Sequence, residues 1–165
     1  MIALLLSSSA TAATIAQRNA GEPRLVKRIN AVRAEQGLRP LEVTRRLQRA
    51  ATRHANSMAR LGYFRHEFRR DGTWSWFPTW ISWYWPGGGF TSWGAGENIA
   101  WRAPGTGARK TVAQWLRSSS HRANLLSRSW KQVGVSLVHI TNPVGTWSGR
   151  DEVTVVIADF GRRSR

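Results

Sequence analysis

The chain has 165 residues, 41% of them hydrophobic, which is enough for one domain with its own core and short for two. Twenty-five Lys and Arg against nine Asp and Glu leave a formal charge of +16, so the natural partners are polyanions: nucleic acid, anionic lipid head groups or acidic envelope polymers. Cysteine is absent, which excludes a disulfide framework and a thiolate metal site.

In chain order, Met1 to Ala13 form a short apolar run that gives way to small residues resembling an A-x-A cleavage site, so residues 1–16 read as an export signal. The positive start of such a leader is missing, which fits a start assigned too late or an atypical leader; a frayed apolar tail is the plainer alternative. The run is too short to span a bilayer as a helix. A secreted, extracellular or periplasmic location follows. Leu25, Ile29 and Val32 recur at helical spacing between Pro23 and Gln36, with Gly37 as the stop. A second helix is predicted from Val43 to Leu61, with Leu47, Ala51, Ala55 and Met58 on one stripe and most of its arginines off it. His54 lies beside that stripe and reads as a packed, hydrogen-bonded core histidine outside any site.

From Tyr63 to Trp93 no periodic template fits: Asp71-Gly72 is a turn signal, Pro78 and Pro86 interrupt the chain, and Gly87 to Gly89 loosen it. Six of the ten tryptophans fall here, within or beside a Trp/Gly-rich segment at 74–93. A third helix is expected over Ala108 to Leu116, with Val112, Trp115 and Leu116 inward. A short helical turn from His121 to Leu126 follows, with Ser118 to Ser120 offering cap oxygens. Val133, Val135 and Leu137 alternate, and Val153 to Phe160 is a β-branched run able to pair back as a hairpin; Glu97 to Trp101 is a further strand. His139 lies near the hairpin as a surface or edge residue. Helices first and antiparallel strands last give the class α+β.

Several ordered motifs carry a family resemblance. They are Arg33 to Leu41 at the end of the first helix, Ala51 to Ala59 in the second, Tyr63-Phe-Arg-His66, Gly96-Glu-Asn-Ile-Ala100, and Trp115 to Leu126. Together they resemble the bacterial branch of the CAP superfamily, which includes cysteine-rich secretory proteins, antigen 5 allergens and pathogenesis-related proteins. The resemblance covers residues 23–161 as a single domain. It implies an α/β/α sandwich with a central antiparallel sheet between helical layers. It also implies a cleft that gathers His66, Glu97 and His121, supported by Asn98. The second acidic position of the eukaryotic members falls near Ser118, so the second carboxylate is absent or replaced by a hydroxyl, and Ser118 joins Asn98 as support of the cleft.

Two neutral imidazoles and a carboxylate are ligand types that zinc or another divalent cation accepts, with water as a fourth ligand, although no cofactor is required. The same groups can serve as general acid and base, with Glu97 and His121 as the catalytic candidates. No nucleophile is evident, and the wide spacing lacks the local H-E-x-x-H pattern. A non-enzymatic binding module is therefore the expectation, with a metal-assisted hydrolase of peptide or wall material as the alternative.

Exposed indoles leave large apolar areas in water, so Trp74, Trp76, Trp80, Trp83 and Trp85 read either as a lid packed on the domain or as a ligand surface. As a surface beside Arg65, Arg69 and Arg70 they would contact lipid, glycan or anionic envelope polymer, including peripheral contact with a membrane. In either case the resemblance implies that the segment borders the cleft, since in the family this region connects the first cleft histidine to the Glu motif. No nucleic-acid motif is present, so no specific nucleic acid is expected. The chain is expected to be a monomer.

Overall fold

A computed structural model of the protein describes residues 12–17 and 19–165. In chain order the elements are strand β1 (Thr14–Gln17), helix α1 (Glu22–Glu35), β2 (Glu42–Val43), α2 (Arg45–Leu61), β3 (Phe68–Arg70), β4 (Thr73–Ser75), α3 (Phe77–Ser82), β5 (Ser92–Arg102), α4 (Ala108–Arg117), α5 (Ser119–Leu125), β6 (Gln132–Thr141) and β7 (Glu152–Ser164).

The two long helices begin and end where local chemistry directs. Pro23 occupies the first turn of α1, whose Leu25, Ile29 and Val32 are buried as their spacing requires. Thr44 caps α2 by accepting a hydrogen bond from the Leu47 amide, and Gly62 closes it in the left-handed conformation. A Cβ at Gly62 would also stand 2.6 Å from the Val144 carbonyl oxygen, so the helix end and that loop meet only through glycine. The inner face of α2 carries Ala50, Ala51 and Ala55, and β6 opposes it with Gly134, where any side chain would collide with the backbone of Leu47 and Gln48. The helix axis therefore lies close on the sheet.

The main sheet runs in the order β1-β6-β7-β5, all antiparallel, with β2 adding a short parallel pairing to the start of β6. β6 and β7 form the expected hairpin, from Gln132↔Gly161 to Thr141↔Glu152. Most residues of these two strands are buried, because helices cover both faces. One face sends Val133, Val135, Leu137, Val156 and Phe160 into a core with α1 and α4; the other sends Val138, Ile140, Val155 and Ile157 into a core with α2. The fold is thus an α+β sandwich, with β5 on one edge of its sheet.

The structure also departs from the sequence reading. The leader's residues 1–11 lie outside the described residues, and its expected end at 16 falls inside β1, whose Thr14–Gln17 pair with Val138–Thr141. β5 is eleven residues long and begins at Ser92, five residues before the strand expected at Glu97. The segment expected to be irregular holds the β3–β4 hairpin around Asp71-Gly72 and the helix α3 with Pro78 in its first turn. His139 is no edge residue: β6 lies between β1 and β7, and the imidazole sits 3.0 Å from Glu152.

Candidate functional site

The alternation of β5 divides neighbours between the two layers. Glu97 faces α2 and Asn98 faces α5, while Gly96 leaves room that a Cβ would deny to the Asn124 amide and the Trp130 ring. On the α2 side the Glu97 carboxylate is fully buried and receives two imidazoles, His54 Nδ1 at 2.7 Å on Oε2 and His66 Nδ1 at 2.8 Å on Oε1. His54 is itself buried, and its Nε2 lies 3.2 Å from the Glu67 carbonyl oxygen. Trp80 packs against His54 with ring centroids 4.6 Å apart and donates from Nε1 to the His66 carbonyl at 2.8 Å. The half-exposed His66 is thereby held at its backbone and at Nδ1, with Nε2 left over.

On the other side, Asn98 Nδ2 donates to the His121 carbonyl at 3.0 Å and Asn98 Oδ1 accepts from Asn124 at 3.1 Å. Trp130 Nε1 completes the chain by donating to Asn124 Oδ1 at 2.9 Å. These bonds fix α5 against β5. His66 from the α2 layer and His121 from the α5 layer thus meet around one strand, in an open cleft of about 450 Å³ also lined by Glu97, Asn98, Ser120 and Trp130.

The electrostatics separate the two histidines. The hydrogen bond to Glu97 raises His66 above the ordinary imidazole value, against burial that lowers it. His121 is lowered, first by burial and then by the nearness of His66. Burial alone would raise Glu97, but its two histidine partners outweigh that and hold it below the usual carboxylate value. On the neighbouring strand, Asp159 pairs with Glu97 in register, is fully buried, and among the described residues has no hydrogen-bond partner for either carboxyl oxygen. Burial, then the charge of Glu97 beside it, raise Asp159 far above its ordinary value. Two adjacent buried carboxyls share one charge more cheaply than they carry two, so Asp159 holds the proton and Glu97 the charge.

His66, Glu97, His121 and Asn98 therefore converge on one cleft. Glu97 is not presented as a metal ligand, because both oxygens are taken by imidazoles and the side chain is 1% exposed. What remains for an ion is a pair of imidazoles, short of the three protein ligands of an open zinc site. Among the described residues no group of three or more His, Cys, Asp or Glu is arranged to hold a metal ion. Ser118 does not support the cleft; it sits at the α4–α5 junction with its hydroxyl 3.2 Å from that of Ser120, and Ser120 is the serine in the wall.

None of the five tryptophans read as a ligand surface lines the cleft, and Trp130 is the indole that does. Trp80 and Trp85 are fully buried, whereas Trp74, Trp76 and Trp83 are exposed. Phe77, Trp80, Ile81, Tyr84 and Trp85 follow helical spacing, and that pattern separates the two groups. Sequence reasoning also placed His54 outside the site. It is the core histidine expected, yet its partner is Glu97, and a buried carboxylate in need of a donor was the available signal. Asp159 carried no signal before the β5–β7 register was known.

The sequence profile of the cysteine-rich secretory protein family, CAP, matches residues 26–156. The protein YkwD of Bacillus subtilis (strain 168) is 32% identical over 122 residues, covering 73% of this chain and 43% of that protein. The chain thus spans less than half the length of this relative. Among solved structures, an outer surface protein of Borrelia burgdorferi superposes with a TM-score of 0.71 at 19% identity, over 93% of this chain and all of that one. An extracellular protein of Bacillus anthracis str. Ames containing an SCP domain gives a TM-score of 0.64 at 23% identity, over 87% of this chain and 41% of that one. With most of its length under the family profile and its fold shared with these structures, the chain belongs to the CAP, or cysteine-rich secretory protein, family.

Proposed function

We propose that the protein is an extracellular binding module whose cleft takes a polar, sugar-containing ligand of the cell envelope. The observation that carries this is the wall itself: the Ser120 hydroxyl, two imidazole edges and the Asn124 amide, which the buried Asn98 fixes in place, stand beside the Trp130 ring. Amides with an aromatic ring suit hydroxyl-rich rings, which need donors and acceptors at set positions and an apolar face to stack on. An extracellular setting is supported by relatives described as extracellular or outer-surface proteins. The exposed Trp74, Trp76 and Trp83, with Arg65 and Arg69 against Trp74 and Arg70 against Trp83, supply a second, basic and aromatic contact for anionic envelope material.

Calorimetric titration with soluble envelope glycan fragments tests the cleft. Binding by the native chain that weakens roughly tenfold in His121→Ala and in Asn98→Ala supports the reading. Equal binding by all three overturns it. A zinc titration run in parallel asks whether His66 and His121 together hold an ion. Heat lost in both His66→Ala and His121→Ala supports a two-imidazole site, in which Glu97 orients His66 from behind.

One observation favours a hydrolytic reading. The cleft sets an imidazole with a raised pKa beside one with a lowered pKa, the division of labour of an acid and a base. In that reading His66 donates and His121 accepts a proton. Incubation with peptidoglycan or peptides tests it, and equal product from the native chain and from Glu97→Gln would sink it.

A further inference from the structure

A second recess, outside the cleft, opens between the start of α2 and the chain that follows α3. It has a volume of about 220 Å³ and is lined by Arg45, Arg46, Arg49, Trp83 and Tyr84. Among the described residues, none of the three guanidiniums has a carboxylate within 4.0 Å. Their placement is unfavourable for the isolated protein. Arg49 stands three and four residues beyond Arg46 and Arg45, so like charges face one another along the helix, and the first turn contains no acid to offset them. An anion seated among them would relieve that repulsion.

The recess is also shaped. Arg46 Nη1 donates to the Tyr84 carbonyl at 3.4 Å, and Gly87, at φ +86°, lets the guanidinium lie against the backbone, since a Cβ there would stand 2.6 Å from Arg46 Cζ. Trp83 is exposed over 42% of its surface and braced edge-on by Phe68 with centroids 5.9 Å apart. Arg70 adds a fourth cation, its Cζ 5.6 Å from the Trp83 ring centre. Several guanidinium forks offer more donors than one carboxylate can use and suit the multiple oxygens of a phosphoryl group, while an indole beside them covers carbon.

We propose that this recess binds a phosphate ester of a small polyol: the phosphoryl oxygens are taken by Arg45, Arg46 and Arg49, and the glycerol or sugar carbons lie against Trp83. The source is either an anionic phospholipid head group or a glycerol-phosphate wall polymer. The site rests on the extracellular reading only for that source.

The test is calorimetry of the full chain with glycerol phosphate and with inorganic phosphate, together with flotation on phosphatidylcholine vesicles with and without phosphatidylglycerol. Binding of glycerol phosphate is expected to weaken roughly tenfold or more in Arg45→Gln/Arg49→Gln, and also in Arg46→Lys, which keeps the charge and loses the fork. The exposed pair Arg53→Gln/Arg60→Gln removes the same charge elsewhere on α2 and is expected to bind like the native chain, as is His121→Ala, which separates this site from the cleft. Flotation that falls with the recess variants assigns a lipid source; flotation that ignores them, with glycerol phosphate binding still dependent on them, assigns the polymer. No binding of either phosphate by the native chain, equal loss in the Arg53/Arg60 pair, or native affinity in Arg46→Lys overturns the proposal.

Discussion

Glu97 is the residue on which the site's charge balance turns, and its neighbours give three different pH dependences. Its own depressed pKa contributes stability above the ordinary value of 4.5, and that stability is lost as pH falls through the folded-state value. His66, raised by Glu97, contributes stability fully present below 6.5 that is lost as pH rises through its folded-state value. Asp159 works against the fold: the unfolded chain releases its proton above 3.8 while the folded chain keeps it, so stability falls as pH rises toward the folded-state value. Asp159→Asn replaces the titrating carboxyl by a neutral amide of similar size and removes that penalty. Thermal melts at intervals from about pH 4 to pH 8 are therefore expected to show the variant gaining on the native chain as pH rises. His66→Gln should show its largest deficit below pH 6.5 and converge with the native chain as pH rises through the raised folded-state value of His66. An Asp159→Asn deficit that is constant with pH would mean that Asp159 is ionised in the folded protein.

Among the elements, β5 combines an ordinary role with an unusual one. It closes one edge of the sheet, and through Gly96, Glu97 and Asn98 it fastens a helix of each layer to the same point. Gly96→Ala would drive a methyl into the Asn124 amide and the Trp130 ring, and overpacking of this kind costs about 1–3 kcal/mol. The expected outcome is a lowered melting temperature together with loss of glycan binding, since His121 shifts with α5; a binding loss without any change in melting would point to contacts other than this packing.

How much of this is legible in the sequence varies with the element. The long helices can be read because apolar spacing and glycine stops agree along them, whereas the Thr44 cap, which starts the second helix at Arg45, two residues after Val43, shows only in the structure. The segment around α3 reads as irregular because its many tryptophans obscure the spacing of Phe77, Trp80, Ile81 and Trp85, which marks the buried side. His66, Glu97 and His121 can be assembled only through motif resemblance. They lie far apart in sequence, and the strand edge that unites them is a tertiary feature. The pairing of Glu97 with His54 and Asp159 depends on register and helix placement, which no local pattern encodes.

For the molecule as a whole, the +16 charge is carried with little internal compensation. Among the described residues only Arg28 and Arg70 stand within 4.0 Å of a carboxylate, at exposed positions where such pairs contribute little. A chain so charged stays soluble and is drawn to acidic surfaces, but it repels itself in the compact state. Salt shortens the reach of that repulsion to a Debye length of about 10 Å at 0.1 M. Raising salt from low to physiological strength is therefore expected to stabilise the protein, and a gain of about 1 kcal/mol would read as a rise of roughly 2–4 °C in melting temperature. A soluble polyanion at low salt should produce the same rise, because it binds the folded arrangement of arginines, and added salt should erase that increment by competing it away. A melting temperature that falls with salt would mean instead that favourable ion pairs dominate the surface, and the basic face would then serve the fold before any partner.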